Sequence, residues 1–309
     1  MASWQAHAMV LLLRATMKRK LSRAKDVVAA RKALEGGAAP GRTYKDSVGG
    51  VPGEWLGAED APGTLLYLHG GGYVACSPRT HRPFTNAFAK AGLRVFAPDY
   101  RLAPEHPYPA ALDDAVAVYR GLLDAGAQGV VVAGDSAGGG LALALMLRLR
   151  ELGLPLPARA ALFSPWTDLA ATGESIQANT RRDAMFFGDG IARGADAYVG
   201  IADRMSPLIS PLYGDLAGLP PLLIHVGANE VLRDDSTRLA DRALAAGVAV
   251  DLRVWPVVPH VWQIMSQFIP EGRQSLDAAA RFLLAPKERP VMLDALDDPS
   301  APPSAPVAA

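Results

Sequence analysis

The sequence holds one serine in a setting that suits nucleophilic chemistry. Ser136 lies in the run Gly-Asp-Ser-Ala-Gly at residues 134–138, between a β-rich run at 130–133 and a strong helical pattern at 141–149. Gly-x-Ser-x-Gly between a strand and a helix is typical of a strained turn that exposes the serine hydroxyl, where glycines let the two backbones pass closely. The pattern favours a catalytic serine, although these five residues alone also fit a plain glycine-rich strand-to-helix turn.

A second glycine-rich run could bind the negative charge that develops on a carbonyl oxygen. Residues 69–73 read His-Gly-Gly-Gly-Tyr and close a β-rich run that begins at Thr64. Acyl transfer needs N–H donors for its oxyanion, and loss of one donor typically slows the reaction by about 10²–10³. We expect Gly71, Gly72 and Ala137 to be these donors. A phosphate-binding loop is disfavoured, because no Lys-Ser or Lys-Thr pair follows and the glycine spacing does not match a dinucleotide site.

A catalytic serine of this kind needs a general base, and two of the six histidines follow Ser136 in the chain. His225 lies inside the apolar run 222–226, which indicates a core or strand-end residue. His260 follows the last β-rich run, in a loop that leads into a helical pattern. Because a loop at a strand end can reach a site at that end of the sheet, His260 is the predicted base.

The triad acid has three candidates in one short stretch. Glu230, Asp234 and Asp235 all follow the β-rich run 222–227, which is the last but one of these runs before His260. Asp234 and Asp235 also suit the N-cap of the next predicted helix, where a carboxylate accepts hydrogen bonds from free N–H groups. The residues alone leave the choice open.

The elements that would position these residues alternate along the chain. From about Gly53 onward, short and mostly continuous apolar runs alternate with helical patterns, which predicts an α/β fold with a mainly parallel sheet between two layers of helices. Residues 168–218 break this rhythm with helical patches and no strand, which predicts an inserted lid or cap. The predicted strands are 64–69, 93–97, 129–133, 158–164, 222–227 and 250–255, and the predicted helices are 109–123, 137–151, 235–246 and 273–284.

The N-terminal segment is basic and has a helical pattern. Residues 5–34 suggest an amphipathic helix, and the first 50 residues contain ten Lys and Arg against three Asp and Glu. The apolar run 9–13 does not fit a signal peptide, because its basic residues follow it, and it is shorter than the roughly 20 residues that span a bilayer. The helix either rests on anionic lipid or covers part of the protein, and the second interpretation is favoured.

The composition is that of a globular protein. Half of the 309 residues are hydrophobic, and 31 Lys and Arg balance 31 Asp and Glu, so the charge does not favour nucleic acid as a partner. The single cysteine, Cys76, excludes an intrachain disulfide and a cysteine-based zinc site, and it fits a cytoplasmic location. The Pro- and Ala-rich stretch 286–309 is predicted to be a disordered tail.

These motifs together resemble those of the hormone-sensitive-lipase-like, or bacterial family IV, esterases. The resemblance spans roughly residues 45–285 and includes Asp-Tyr-Arg-Leu-Ala-Pro-Glu at 99–105 besides the two glycine-rich motifs at 69–72 and 134–139. It implies the α/β-hydrolase fold, a Ser–acid–His triad, an oxyanion hole of two loop glycines and Ala137, and neither metal nor organic cofactor. The stretch 230–234, Glu-Val-Leu-Arg-Asp, matches the family's Asp-Pro-Leu-Arg-Asp, so Glu230 is the expected acid.

The resemblance also implies how the chain is divided and what it does. Residues 1–45 and 168–218 would form a helical cap on a catalytic domain of 46–167 and 219–285. The expected function is hydrolysis of short- to medium-chain acyl esters, with lactones as further candidates. The expected partner is a small ester, a homodimer is left open, and stable membrane insertion is not expected. A lactone-specific hydrolase and a non-catalytic binding protein on the same fold are the alternatives.

Overall fold

The computed structural model describes residues 2–34 and 40–285, and a sheet of eight strands forms its centre. The strands are β1 (Tyr44–Val48), β2 (Val51–Leu56), β3 (Gly63–Leu68), β4 (Leu93–Pro98), β5 (Val131–Asp135), β6 (Ala160–Phe163), β7 (Leu222–Gly227) and β8 (Val250–Trp255). The helices are α1 (Trp4–Leu13), α2 (Arg19–Ser22), α3 (Val27–Leu34), α4 (Arg82–Lys90), α5 (Ala110–Asp124), α6 (Ala137–Glu151), α7 (Ser175–Ala178), α8 (Gly188–Val199), α9 (Arg233–Ala245) and α10 (Pro270–Leu284).

The strand order across the sheet is β1-β2-β4-β3-β5-β6-β7-β8. The pairs among β1, β2 and β4 are antiparallel, and every pair from β4 to β8 is parallel. Parallel strands end at one edge, so the loops that follow β3, β5, β7 and β8 lie near one another at that edge. The predicted α/β fold with a mainly parallel sheet is confirmed.

Both faces of the sheet are buried, which explains why its strands are continuously apolar. Along β3, Leu66 and Leu68 belong to the core on one face, whereas Leu65 and Tyr67 belong to the core on the other. Successive side chains of a strand point to opposite faces, and helices cover each face here. The helix α6 lies against the sheet with almost every side chain buried.

The six predicted strands are all present, with ends shifted by up to two residues. Two strands, β1 and β2, were not predicted. Their sequences, Tyr-Lys-Asp-Ser-Val and Val-Pro-Gly-Glu-Trp-Leu, contain no continuous apolar run; β1 is an exposed edge strand, and Pro, Gly and Glu interrupt β2. The helix α4 was also missed, and α9 begins at Arg233 rather than at the predicted residue 235.

The N-terminal segment is two helical pieces rather than the one helix predicted over residues 5–34. A π-helical turn, Arg14–Lys18, joins α1 to α2 without a break, and a new helix, α3, begins at Val27. The side chain of Asp26 accepts a hydrogen bond of 2.8 Å from the N–H of Ala29, and such capping favours a helix start at this point.

The stretch 168–218 lies between β6 and β7 and contains α7, α8 and a 3₁₀ turn at Pro211–Tyr213. The predicted tail at 286–309 lies outside the described residues. Across residues 2–34 and 40–285, no helix combines the length and the apolar character needed to cross a bilayer.

Candidate active site

Ser136 lies in a strained turn between β5 and α6. Its backbone angles, φ 52° and ψ −122°, belong to a region that residues other than glycine rarely adopt. Glycines make the turn feasible, because a Cβ atom on Gly134 would approach the main-chain oxygen of Gly138 to 2.3 Å, and one on Gly138 would approach that of Leu68 to 2.1 Å. The side chain of Ser136 lines a cavity at the carboxyl edge of the sheet. The serine therefore has the geometry of a nucleophile elbow.

The glycine loop after β3 lines the same cavity. Gly71 has a φ of +118°, and a Cβ atom there would lie 2.1 Å from the main-chain oxygen of Ala75, so only glycine fits without rearrangement. Gly71 and Gly72 line the cavity together with Ser136. Ala137 is the first residue of α6, and the first N–H groups of a helix have no acceptor within it. These N–H groups are thus candidates for binding an oxyanion.

A buried carboxylate connects this glycine loop to the serine turn. Asp135 Oδ1 accepts hydrogen bonds of 2.6 Å from Tyr67 Oη and 3.1 Å from the N–H of Gly70, and its Oδ2 lies 3.2 Å from Nε2 of His81. Burial disfavours its charge, but His81 and the hydrogen bonds outweigh burial and hold the pKa of Asp135 below its usual value. Asp135 thus fixes Gly70 next to Ser136. Sequence analysis did not identify Tyr67, His81 or this role of Asp135.

Glu230 and His260 form the closest carboxylate–imidazole pair of the site. Nδ1 of His260 lies 2.6 Å from Oε2 of Glu230, and both side chains are buried. The other carboxylate oxygen, Oε1, accepts hydrogen bonds from Ser164 Oγ at 2.8 Å and from the N–H of Gly227 at 2.6 Å. Burial lowers the pKa of His260, but the charge and hydrogen bond of Glu230 outweigh burial and raise it above its usual value.

The second ring nitrogen of His260, Nε2, is buried, and His260 lines the cavity. Among the residues that the structure describes, Nε2 of His260 has no hydrogen-bond partner, and His260 and Ser136 line the same cavity. The ring of Phe186 meets the imidazole edge to face, with 5.1 Å between centroids. The imidazole is therefore held by Glu230 through Nδ1, while Nε2 has no hydrogen-bond partner among the described residues.

Asp234 and Asp235 lie away from His260 and, contrary to the prediction, neither residue is the N-cap of α9. The helix α9 begins at Arg233, so both residues lie within its first turn. Asp234 Oδ2 accepts a hydrogen bond of 2.8 Å from the N–H of Ser175. Asp235 Oδ2 accepts hydrogen bonds from the N–H groups of Thr167 and Asp168, at 2.7 and 2.8 Å. Their carboxylates fasten α9 to the chain segment that follows β6.

Burial shifts the pKa of two further groups near the sheet. It raises the pKa of Asp235 to about 7, because hydrogen bonds from Thr167 and Asp168 only partly offset the loss of solvent. Burial lowers the pKa of His225 to about 3. His225 lies in β7 with Nδ1 2.7 Å from Ser275 Oγ, as expected for a core residue.

The cavity has a volume of about 350 Å³ and a mostly apolar lining. Leu13, Met17 and Leu21 line it from the N-terminal helix. Met185 and Phe186 line it from residues 168–218, whereas Phe187 packs against the ammonium group of Lys18 at 4.1 Å.

A hydrogen-bonded link joins the two segments that line the cavity from outside the sheet. Nζ of the buried Lys18 donates to the main-chain oxygens of Thr180 and Asp183, at 2.6 and 2.8 Å. The Asp183 carboxylate in turn accepts hydrogen bonds from the N–H groups of Met185, Phe186 and Val231, at 2.7 to 2.9 Å. Sequence analysis missed Lys18 and Asp183, because the link between the two segments depends on main-chain groups that are far apart in the chain.

Other polar residues of the sequence motifs hold loops. Asp168 accepts hydrogen bonds from Thr172 and Tyr213 and pairs with Arg238, so its side chain fixes this loop. In the motif at 99–105, Tyr100 Oη donates to the main-chain oxygen of His69 at 2.6 Å. Within residues 2–34 and 40–285, no group of three or more His, Cys, Asp or Glu side chains is arranged to hold a metal ion.

Comparison with known proteins agrees with this geometry. The sequence profile of a family described as alpha/beta hydrolase fold matches residues 65–264. An acetyl-hydrolase of Streptomyces hygroscopicus is 46% identical over 241 residues, which cover 77% of this chain and 81% of that relative. An ethyl acetate hydrolase of Pseudomonas putida is 35% identical, and the match covers 70% of this chain and 71% of that relative.

Solved structures of esterases are also similar to this chain. An esterase from the bacterial hormone-sensitive lipase family is 41% identical, with a TM-score of 0.84 over 92% of this chain and 98% of that one. The esterase EstE5, in a crystal soaked with p-nitrophenyl butyrate, is 39% identical, with a TM-score of 0.86 over 91% of this chain and 98% of that one. The chain therefore belongs to the α/β-hydrolase family, among the carboxylic ester hydrolases of the hormone-sensitive-lipase type.

Proposed function

We propose that this enzyme hydrolyses short- to medium-chain acyl esters with Ser136 as nucleophile, His260 as general base and Glu230 as the triad acid. The observation that carries the proposal is the 2.6 Å contact between Nδ1 of His260 and Oε2 of Glu230, beside a cavity that Ser136 and His260 share. A carboxylate on Nδ1 leaves Nε2 as the nitrogen that accepts the serine proton.

In the first half of the reaction, Ser136 Oγ attacks the ester carbonyl carbon as Nε2 of His260 takes the hydroxyl proton. The tetrahedral intermediate carries its negative charge on the former carbonyl oxygen, where the N–H groups of Gly71, Gly72 and Ala137 stabilise it. The C–O bond of the ester then breaks, and the alcohol leaves with the proton from His260. The product is an acyl ester of Ser136.

In the second half, His260 takes a proton from a water molecule, whose oxygen attacks the acyl carbon. Collapse of the second intermediate releases the carboxylic acid and returns the proton to Ser136. Glu230 keeps the imidazole oriented and stabilises its charged form in both halves.

The size of the cavity and the relatives support short acyl groups. A cavity of about 350 Å³ lies near the lower end of small-molecule sites, which span roughly 300–1,000 Å³. The names of the relatives from Streptomyces and Pseudomonas refer to acetyl esters. Neither a lactone-specific hydrolase nor a non-catalytic binding protein has comparable support.

Substitution of Ser136 by Ala tests the mechanism. Because the side chain ends in a cavity, we expect Ser136→Ala to keep the thermal melting temperature of the wild type while hydrolysis of p-nitrophenyl butyrate is lost. Ser47→Ala, which removes a serine hydroxyl at an exposed position on β1, serves as the control and should keep the wild-type rate. A folded Ser136→Ala enzyme that retained most of the wild-type rate would exclude this mechanism.

We further propose a cytoplasmic location, since the single cysteine, Cys76, cannot form an intrachain disulfide. Fractionation of cells that express the full chain tests this proposal.

A further inference from the structure

The outward side of the first helix carries apolar side chains at one end and basic side chains at the other. The helix runs without a break from Trp4 to Ser22. Trp4, Leu11 and Leu12 are 75%, 65% and 55% exposed, so this one helix presents three large apolar side chains to solvent. An exposed apolar surface can mark an interaction site.

The charge of this segment has one sign. Residues 2–25 contain six Lys and Arg and neither Asp nor Glu. Lys18 points inward to Asp183, but Arg19, Arg23 and Lys25 are exposed. At a rise of 1.5 Å per residue, Arg19 follows Leu11 by only about 12 Å along the helix axis. Arg23 and Lys25 follow the end of the helix, so exposed basic groups and exposed apolar groups lie close together along this segment.

We propose that this surface, the N-terminal face formed by Trp4, Leu11, Leu12, Arg19, Arg23 and Lys25, docks on a bilayer that contains anionic lipid. Helices that lie in the plane of a bilayer bury apolar side chains at the headgroup boundary and place Lys and Arg against anionic headgroups. A second copy of the chain fits less well, because residues 2–25 of that copy would offer the same positive charge and no carboxylate to pair with it.

Docking in this orientation would bring the cavity close to the lipid. The inner side of the same helix supplies Leu13, Met17 and Leu21 to the cavity lining. Since a helix with its side chains is about 10–12 Å thick, only one helix would separate the bound lipid surface from the cavity. The inference goes beyond the proposed function and does not depend on it, because binding to lipid requires no step at Ser136.

Sedimentation with vesicles tests the proposal on the full chain. We expect the wild-type protein to sediment with vesicles of phosphatidylcholine containing about 30% phosphatidylglycerol, to remain in the supernatant with phosphatidylcholine alone, and to dissociate as salt is added. The other four tryptophans are buried or half-buried. The anionic vesicles should therefore shift the fluorescence emission of the wild type to shorter wavelength but not that of Trp4→Phe.

Two sets of variants separate the apolar and charged parts. The triple variant Arg19→Gln, Arg23→Gln, Lys25→Gln should bind about 100-fold more weakly, at about fivefold for each charge. The double variant Leu11→Ser, Leu12→Ser should also lose binding. Leu244→Ser, an apolar position that is 54% exposed on α9, and Arg120→Gln, an exposed basic position on α5, are the matched controls and should bind like the wild type.

All four variants lie outside the cavity lining, so hydrolysis of dissolved p-nitrophenyl butyrate should stay at the wild-type rate and report that each variant is folded. The proposal is overturned by absence of binding to the anionic vesicles or by an equal loss of binding in face variants and controls. It is also overturned if light scattering shows a dimer that Leu11→Ser, Leu12→Ser dissociates, since a second copy would then cover the face.

Discussion

The carboxylate of Asp183 accepts a hydrogen bond of 2.9 Å from the N–H of Val231, the residue that follows Glu230 in the chain. The same carboxylate accepts hydrogen bonds from the N–H groups of Met185 and Phe186. One buried side chain therefore holds both the turn that carries the candidate acid and the phenyl ring that lies against His260. The negative charge of Asp183 also helps to raise the pKa of His260, after the larger contribution of Glu230.

Asp183→Asn should therefore change the pH profile of the enzyme. His260 must be neutral to accept a proton, so kcat/KM of the wild type should fall on the acid side with an apparent pKa above the usual histidine value of about 6.5. Glu230, Asp183 and Asp135 all favour the charged imidazole. Loss of one of these charges lowers the pKa of His260, so the acid limb of Asp183→Asn should move to lower pH.

The pH dependence of p-nitrophenyl butyrate hydrolysis measures this shift, and Asp277→Asn, an exposed position on α10, is the control. An unchanged acid limb in a folded Asp183→Asn enzyme would show that Asp183 has only a structural role.

Glu230→Gln should lower kcat by orders of magnitude with little change in melting temperature. The imidazole loses its counter-charge, and the equivalent change in a serine protease costs about 10⁴ in kcat. Asp234→Asn removes a carboxylate that binds Ser175 rather than His260, so its effect should fall on stability. Steady-state kinetics and thermal melting of the two variants make the comparison. Near-normal kcat in Glu230→Gln would assign the acid to another residue.

Asp235→Asn should stabilise the protein at alkaline pH. The folded-state pKa of about 7 lies above the unfolded value of 3.8, so the folded state binds the proton more tightly. The contribution of Asp235 to stability is thus fully present below about pH 4 and is lost as the pH rises towards 7. Asparagine stays neutral, and its side-chain oxygen can still accept hydrogen bonds from the N–H groups of Thr167 and Asp168.

Denaturant titrations between pH 4 and pH 8 test this prediction. The free energy of unfolding of the wild type should fall relative to Asp235→Asn across that range, by a few kcal/mol in total. A constant difference between the two proteins would mean that Asp235 stays ionised.

Chain-length preference should follow the cavity. We expect kcat/KM for p-nitrophenyl butyrate to exceed that for the laurate by about tenfold or more, since a single methylene that does not fit costs about 1–3 kcal/mol. Phe186→Ala enlarges the cavity and should raise the relative rate of the laurate. Phe187→Ala, the neighbouring position outside the lining, should leave the ratio unchanged. A higher rate on emulsified long-chain triglycerides than on butyrate would identify a true lipase.

The sequence by itself determined the elements whose structure depends on neighbouring residues. The glycines around Ser136 and at 70–72 predict tight turns, because only glycine tolerates the close backbone contacts found at Gly71 and Gly138. Continuous apolar runs predicted the strands that are buried on both faces. Both signals are local, so they can be recognised without knowing which segments meet.

Only the tertiary structure decided which polar side chains meet. Glu230, Asp234 and Asp235 lie within six residues of one another, yet the first contacts His260 and the other two contact backbone N–H groups at Ser175 and Thr167. The contact between Asp183 and Val231 spans 48 residues and leaves no pattern in the sequence. The direction in which a side chain points depends on the turn that carries it, and its partner depends on how distant segments pack, so residue type and spacing alone could not assign these contacts.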